Sequence, residues 1–231
     1  MKVVVLTGSG ISAESGLATF RDSGGLWEGY DVMEVASIQG WKDNPGKVLD
    51  FYNLRRKQAL NVNPNAGHIA LARLDKYFDV TIITQNVDNL HERAGSKKVI
   101  HLHGEITKSR SSIDPDLIYD IGDNEIHVGD LCEKGSQLRP HIVWFGEMVP
   151  MMDVAIEEVL AADIFIVIGT SLVVYPAAGL LEYVSENDQL YIIDPQKPDV
   201  YFSNKFHFIE NTAAHGTPLL VDQLIESFKD K

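Results

Sequence analysis

The residues best equipped for chemistry lie in one stretch, Thr84 to Glu105, TQNVDNLHERAGSKKVIHLHGE. Gln85, Asn86 and Asp88 bring two amides and a carboxylate together. Such groups are rarely buried idly, since an unpaired polar group inside a protein costs roughly 1–3 kcal/mol. His101 and His103 follow, on one face if their segment is a strand. The stretch also fits a solvated loop with a capped helix over Asn89 to Arg93. Its flanks favour a site: Val80 to Ile83 and Val99 to Leu102 read as strands, and open α/β sheets collect ligands at strand ends.

Other segments repeat that design. The apolar run Lys2 to Leu6 turns into TGSGISAESG, Thr7 to Gly16, ahead of a helix start. A strand, glycine turn and helix in this order bring backbone N–H groups to a phosphate. Gly8 and Gly10 form half of a dinucleotide fingerprint without its third glycine, so a tight turn and a phosphate cradle both remain open. Ala18 to Tyr30 mixes glycines, aromatics and charges without period and reads as a mobile loop, with Phe20 and Arg21 placed to close over a ligand or simply to lie on the surface. Asn44 to Asn61 reads as a helix with an apolar stripe of Val48, Leu49, Tyr52 and Leu60. Tyr52 and Arg55 share a face and suit a carboxylate, although the same spacing is common on solvated helices. A turn, Asn63 to His68, leads to a helix over Ile69 to Tyr77.

The elements that must position these groups alternate. Buried strands are expected at Ile142 to Phe145, Asp163 to Ser171 and Gln189 to Pro195, with helices at Val154 to Ala162 and after Pro176. Lys108 to Gln137 reads as a β-rich insert with a hairpin at Gly122 to Glu125. The fold class is therefore α/β, a Rossmann-like doubly wound parallel sheet with a smaller inserted domain. The large domain is expected over residues 1–29, 70–107 and 138–231, and the small one over 30–69 (helical) and 108–137. In a parallel sheet, Gly8 to Ser12, Gln85 to Asp88, His103, Gly169 to Ser171 and Asp194 all fall on one carboxyl edge.

Composition limits the partners. The 231 residues carry a formal net charge of −13, which argues against nucleic acid and anionic membranes and leaves basic peptides open. A single cysteine excludes an internal disulfide framework and any site of several thiolates. No run approaches the roughly 20 apolar residues that cross a bilayer, and MKVVVLTG is too short to be a secretory signal, so the expected location is the cytoplasm.

Taken together, TGSGISAESGLATFR, TQNVDNLHERAG, HLHGE, LRPHIVWFGE, GTSLVVYPAAG and the strand ending in Asp194 resemble, in order, the signatures of the sirtuin family of NAD-dependent protein lysine deacylases. Ser9 stands where alanine is usual, Ala18 where proline is frequent and Asp194 where asparagine is common. The resemblance implies NAD as cofactor, held at its phosphates and ribose by Gly8, Ser9, Gly10, Ile11, Gly169, Thr170, Ser171 and Asp194, with Ala213 near the adenine. Phe20 and Arg21 would fold over the nicotinamide ribose, which Gln85, Asn86 and Asp88 hold. His103 would be the catalytic base, with Asn86 assisting, and His101 a packing residue. Phe145, Gly146 and Glu147 would pair with the substrate peptide.

FYNLRR, Phe51 to Arg56, resembles the segment by which desuccinylase-type sirtuins grip acidic acyl groups, with Tyr52 and Arg55 matching. The implied reaction takes succinyl, malonyl or acetyl groups from lysine in proteins or peptides and releases nicotinamide and 2′-O-acyl-ADP-ribose. An ADP-ribosyltransferase or NAD hydrolase is one alternative, and a non-catalytic NAD-binding sensor another. The family's four zinc cysteines appear here as Ser111, Asp114, Cys132 and Gly135, so no metal is expected.

Overall fold

The structure is a computed structural model that describes residues 1–19, 26–27, 29–198 and 206–229. In chain order the elements are β1 (Lys2–Thr7), α1 (Gly10–Ala13), β2 (Leu26–Trp27), β3 (Tyr30–Asp31), α2 (Val32–Val35), α3 (Ile38–Asp43), α4 (Pro45–Asn61), α5 (Ala66–Leu74), β4 (Asp79–Thr84), α6 (Leu90–Ala94), β5 (Val99–His101) and β6 (Gly104–Ser111). Then come β7 (Ile118–Asp120), β8 (Leu138–Ile142), α7 (Met152–Leu160), β9 (Ile164–Ile168), a 3-10 helix (Ala177–Tyr183), β10 (Gln189–Asp194), β11 (Phe206–Glu210) and α8 (Ala213–Lys229). No helix among the described residues is long and apolar enough to cross a membrane.

The main sheet has six strands in the order β11-β10-β9-β1-β4-β5, all paired in parallel. Chain direction across the sheet reverses between β1 and β9, the topological switch point of a doubly wound fold. Apolar residues alternate between two cores: Val3, Val5, Ile82 and Ile166 pack on α5 and α8, whereas Val4, Leu6, Ile83 and Val167 pack toward α7 and the 3-10 helix. A strand covered on both faces needs a nearly unbroken apolar run, which is why these segments show no alternating pattern.

Register decides where the polar turns fall. Thr7 pairs with Thr84 and with Ile168, Ile168 with Ile193, and Thr84 with His101. The strands therefore end in step, and the residues that follow form one row.

Several elements differ from expectation. α5 begins at Ala66 because Asn65 caps it: its side chain accepts from the Gly67 N–H at 2.9 Å, and His68 Nδ1 accepts from the Asn65 N–H at 3.3 Å. His68 is thus buried in a first turn where the sequence suggested a loop. The segment after Pro176 is a 3-10 helix. The strand expected at Ile142 to Phe145 lies earlier, at Leu138–Ile142, and does not join the main sheet; it pairs antiparallel with β6 in a three-stranded sheet, β7-β6-β8. Gly122 and Asp123 make a turn, but the expected hairpin there does not form, and the strand pair is β6 with β7. On α4, Leu60 is only partly buried, whereas Asn53, Arg55 and Arg56 are buried.

Those polar residues fasten α4 to the insert. Arg56 donates to the Ile106 carbonyl at 2.7 Å, to Asn53 Oδ1 at 2.7 Å and to the Asn124 carbonyl at 3.2 Å. Asn53 in turn exchanges two hydrogen bonds with the Ile126 backbone, at 2.9 and 3.0 Å. The four positions that the sequence resemblance matched to zinc cysteines, Ser111, Asp114, Cys132 and Gly135, offer one thiol. Ser111 Oγ and Ser136 Oγ lie 2.7 Å apart, Cys132 Sγ sits 3.1 Å from Ser136 Oγ, and Asp114 is paired with Lys134 at 2.5 Å. Gly135 brings no side chain, so this donor set does not fit a tetrahedral zinc ion, and hydrogen bonds link the same turns.

Replacing Arg56 by methionine removes the side-chain donor to the Ile106 and Asn124 carbonyls and one of the two donors to Asn53 Oδ1. Denaturant unfolding is expected to show a loss of about 3 kcal/mol; a variant as stable as the parent would contradict this role.

Candidate active site

The row of strand ends opens on a cavity of about 680 Å³, within the usual range for a bound small molecule. At the switch point the turns after β1 and β9 touch. The Gly10 N–H donates to the Gly169 carbonyl at 2.9 Å. A Cβ placed on Gly10 would lie 2.6 Å from Gly169 Cα, and Gly169 has φ +61°. Both positions therefore need glycine. The result is a cradle of small residues, with Gly8, Ser9 and Gly10 on one side and Gly169, Thr170 and Ser171 on the other, all lining the cavity. Asp194 and Ala213 line the same end. Ile11 does not: its side chain is fully buried in the core beneath the sheet. Phe20 and Arg21 lie outside the described residues.

The turn after β4 is held from behind by a chain of buried hydroxyls. Thr7 Oγ1 donates to Thr84 Oγ1 at 2.8 Å, which accepts the Asn86 N–H at 3.0 Å, while His91 Nε2 reaches Thr7 Oγ1 at 3.1 Å. Because the Thr7 hydroxyl is spent as a donor, His91 must carry its hydrogen on Nε2. The Asn86 side-chain amide donates to Ser12 Oγ at 3.1 Å, and Ser12 donates to Asp88 Oδ2 at 3.1 Å. Burial raises the Asp88 carboxyl above its usual value despite bonds from the Leu90 N–H and Ser12 that lower it. Gln85 Nε2 donates to Thr170 Oγ1 at 3.1 Å, across β1. Gln85, Asn86 and Asp88 all line the cavity.

The two histidines are not equivalent, and they do not share a strand face, because β5 ends at His101. His103 Nδ1 lies 3.0 Å from the Gln85 carbonyl, which can only accept, so Nδ1 carries the hydrogen and Nε2 keeps its lone pair. Burial lowers the His103 imidazole below the ordinary histidine value, partly offset by that bond. His101 places Nδ1 3.0 Å from the Asn86 carbonyl and Nε2 2.7 Å from Glu92 Oε1. Both its nitrogens donate. Burial works against the charged form, but the Glu92 bond and charge, with the Asn86 carbonyl and Glu105, raise His101 overall. One histidine is therefore kept neutral with a lone pair beside the cavity, and the other is spent as a brace.

On the far wall Tyr52, Arg55, Phe145, Gly146 and Glu147 line the cavity. Arg55 is buried, 4.9 Å from the Trp27 ring centroid, and Trp27 packs edge-on against Phe51. Phe145 is exposed, and its N–H donates to the Ala36 carbonyl at 2.9 Å. Glu147 is not presented as a free contact: Arg139 binds both its oxygens, at 2.7 and 3.1 Å, and Arg110 adds a bond at 3.2 Å. Burial would raise its carboxyl, yet Arg139, the Trp144 N–H and Arg110 hold it below the usual range.

Residues 8–176 match the model of the Sir2 family. This chain belongs to the Sir2 family. It is 53% identical over 224 residues to the NAD-dependent protein deacylase of Helicobacter pylori, covering 97% of each chain. It is also 53% identical over 228 residues to the NAD-dependent protein deacylase of Bacteroides thetaiotaomicron, covering 96% of this chain and 97% of that one. Among solved structures, a Sir2 homologue in complex with NAD superposes with TM-score 0.89 at 39% identity, over 98% of this chain and 90% of that one. A mutant Sir2 homologue in complex with ADP-ribose gives TM-score 0.90 at 38% identity, over 100% and 94%. The expected fold and family both hold.

Sequence reasoning placed Ser12 on the carboxyl edge without its partners, and passed over Thr7, His91, Trp27 and Trp144. They matter through residues distant in sequence, Ser12 to Asp88, Trp144 to Tyr52 and the Trp27 ring to Arg55, and no local pattern marks such contacts.

The histidines buried behind the Sir2 site have a measurable consequence. Burial lowers His91 well below its ordinary value and His68 to about 4. Both bind protons more weakly folded than unfolded, so their contribution to stability is complete above the unfolded value near 6.5 and is lost as pH falls toward the folded values. Unfolding free energy is expected to decline between about pH 6.5 and 4, and His91→Gln to flatten that decline; an unchanged slope would contradict the assignment.

Proposed function

We propose that this chain removes succinyl and malonyl groups, and also acetyl groups, from lysine side chains of proteins, with release of nicotinamide and 2′-O-acyl-ADP-ribose. The chain is an NAD-dependent protein deacylase, and the acyl preference is the finer part of the reading. The observation that carries it is the placement of Arg55 and Tyr52 on the same cavity as His103. A guanidinium buried among aromatic rings gains most from a carboxylate partner, because a charge-assisted bond strengthens as water is excluded. An acetyl group leaves Arg55 with the contacts it already has.

NAD, when bound, supplies a ribose carbon that becomes electrophilic as nicotinamide departs. The close-packed turns Gly8 to Gly10 and Gly169 to Ser171 suit its phosphates because no Cβ stands at Gly8, Gly10 or Gly169 to bar a close approach, and the hydroxyls of Ser9 and Ser171 remain beside them to bond it. Asn86 and Asp88 hold the nicotinamide end, with Ser12 fixing both. His103 takes a proton from a ribose hydroxyl on Nε2, the nitrogen its Gln85 bond leaves with a lone pair. Its lowered pKa keeps it ready as a base at neutral pH. His101 cannot serve in that way, because both its nitrogens are engaged. The substrate chain lies along Phe145 and Gly146 as an added strand. Residence in the cytoplasm, where a protein with a single thiol needs no oxidising environment, belongs to the same reading.

Loss of one charge-assisted bond predicts that Arg55→Met lowers kcat/KM for a succinyl-lysine peptide about 10- to 100-fold, and that for an acetyl-lysine peptide far less. Equal losses on both substrates would remove the acyl assignment. His103→Ala is expected to lower kcat on either peptide by about 100-fold or more, whereas His101→Ala should act mainly through stability.

A further inference from the structure

Trp144 immediately precedes Phe145 in the chain and reaches across the same cavity wall to Tyr52 on α4. It is 2% exposed, and its indole Nε1 lies 3.0 Å from the Tyr52 hydroxyl oxygen. Indole nitrogen can only donate, so the sense of this bond is fixed: Trp144 donates and Tyr52 accepts. The Tyr52 hydrogen is then left over. No acceptor takes it among the described residues, and Tyr52 lines the cavity. An unspent donor on a buried phenol is costly unless a ligand uses it. Burial also raises the Tyr52 phenol well above its usual value, so it keeps that hydrogen at any physiological pH.

Trp144 is itself held from three directions. Its backbone N–H donates to Glu147 Oε2 at 2.9 Å. The Arg139 guanidinium lies over its ring, 3.3 Å from the centroid, and Trp41 packs against it with ring centroids 5.5 Å apart. The same Arg139 grips both oxygens of Glu147 and also donates to the Ile142 carbonyl at 2.9 Å. A stack on an aromatic face combined with a bidentate carboxylate is an arrangement that arginine permits and lysine does not. These residues connect without a break from the end of β8, through the turn that carries Phe145 and Gly146, to the acyl wall on α4.

We propose that Trp144 is a positioning residue for acyl selectivity, which fixes the Tyr52 hydroxyl as a hydrogen-bond donor toward an acyl carboxylate and is itself set by the Glu147–Arg139 pair beneath the peptide-binding turn. The proposal rests on the acyl reading above and adds its geometric cause. Arg55 supplies charge, which many anions could satisfy. Tyr52, turned by Trp144, supplies direction. Glu147, which the family resemblance assigned to the peptide, acts here through Trp144: the carboxylate that shapes the peptide turn also anchors the residue that orients the acyl donor. Peptide and acyl group would then be recognised in one register.

The test compares kcat/KM for succinyl-lysine and acetyl-lysine peptides of one sequence in Trp144→Phe, Tyr52→Phe and the double variant, each checked by thermal unfolding. Trp144→Phe removes the indole N–H and keeps an aromatic ring, and is expected to lower the succinyl-to-acetyl ratio about 5-fold, the worth of one neutral hydrogen bond. In a Tyr52→Phe background the same change should leave the ratio where Tyr52→Phe alone puts it, as coupled partners do. Equal loss on both peptides, or a further fall of the ratio in the Tyr52→Phe background, would overturn the proposal. If Tyr52→Phe alone leaves the ratio unchanged, the acyl reading and the proposal fall together; if Tyr52→Phe lowers it and Trp144→Phe does not, only the proposal falls. Should Trp144→Phe not fold, Glu147→Gln serves in its place: a lowered ratio supports the connection, and an unchanged ratio with a raised peptide KM overturns it.

Discussion

Everything at this site depends on six parallel strands ending level with one another. The pairings of Thr7 with Thr84 and Ile168, and of Ile168 with Ile193, place four turns side by side on the carboxyl edge. A slip of one residue in any strand would exchange its two buried faces, so the apolar cores above and below the sheet enforce the register. The glycines at the switch point then let two of these turns touch, Gly10 against Gly169, with no room for a side chain. The chemistry of the site is thus positioned by burial of valine, isoleucine and leucine side chains that take no part in it.

Within that frame, hydrogen-bond direction divides labour between similar groups. His101 and His103 are two residues apart and each bonds a carbonyl of the turn after β4, Asn86 and Gln85 respectively. The difference comes from Glu92, whose carboxylate takes the second nitrogen of His101 and favours its charged form. His103 has burial alone as the larger influence and stays neutral. The same logic separates Tyr52 from Arg55: one is given a direction by an indole donor, the other carries charge against an aromatic face. In each pair a contact to one distant residue sets the role.

This explains what could be read from the chain. Apolar runs such as Val80 to Ile83 and Asp163 to Ser171 announce strands because burial on both faces demands them, and the polar residues that follow announce a site. The glycine turn, the Gln85 to Asp88 segment and His103 were legible as local strings. Contacts that bridge distant segments were not. Ser12 reads as one more small residue in a turn until Asp88 lies beside it. Nothing local to Glu147 announces that Arg139 and Arg110 close on its carboxylate. Ile142 to Phe145 looked like a buried strand of the main domain, since an apolar stretch does not say where it will pair, but the strand lies earlier, at Leu138–Ile142, and pairs with β6. The capped start of α5 was misplaced because a histidine serving as a capping partner resembles a turn residue. Arg56 and Asn53, polar residues that hold the insert to α4, sit where an apolar stripe was expected.

The central claim is that cleavage of NAD here is tied to an acylated lysine presented at the same cavity. The most direct measurement is the rate of nicotinamide release by the purified protein from NAD, with and without a succinyl-lysine peptide. The account predicts turnover that depends on the peptide and yields deacylated lysine in equal amount. Equal nicotinamide release without peptide would point to simple hydrolysis of NAD, and no release in either case to a binding protein; both would contradict it.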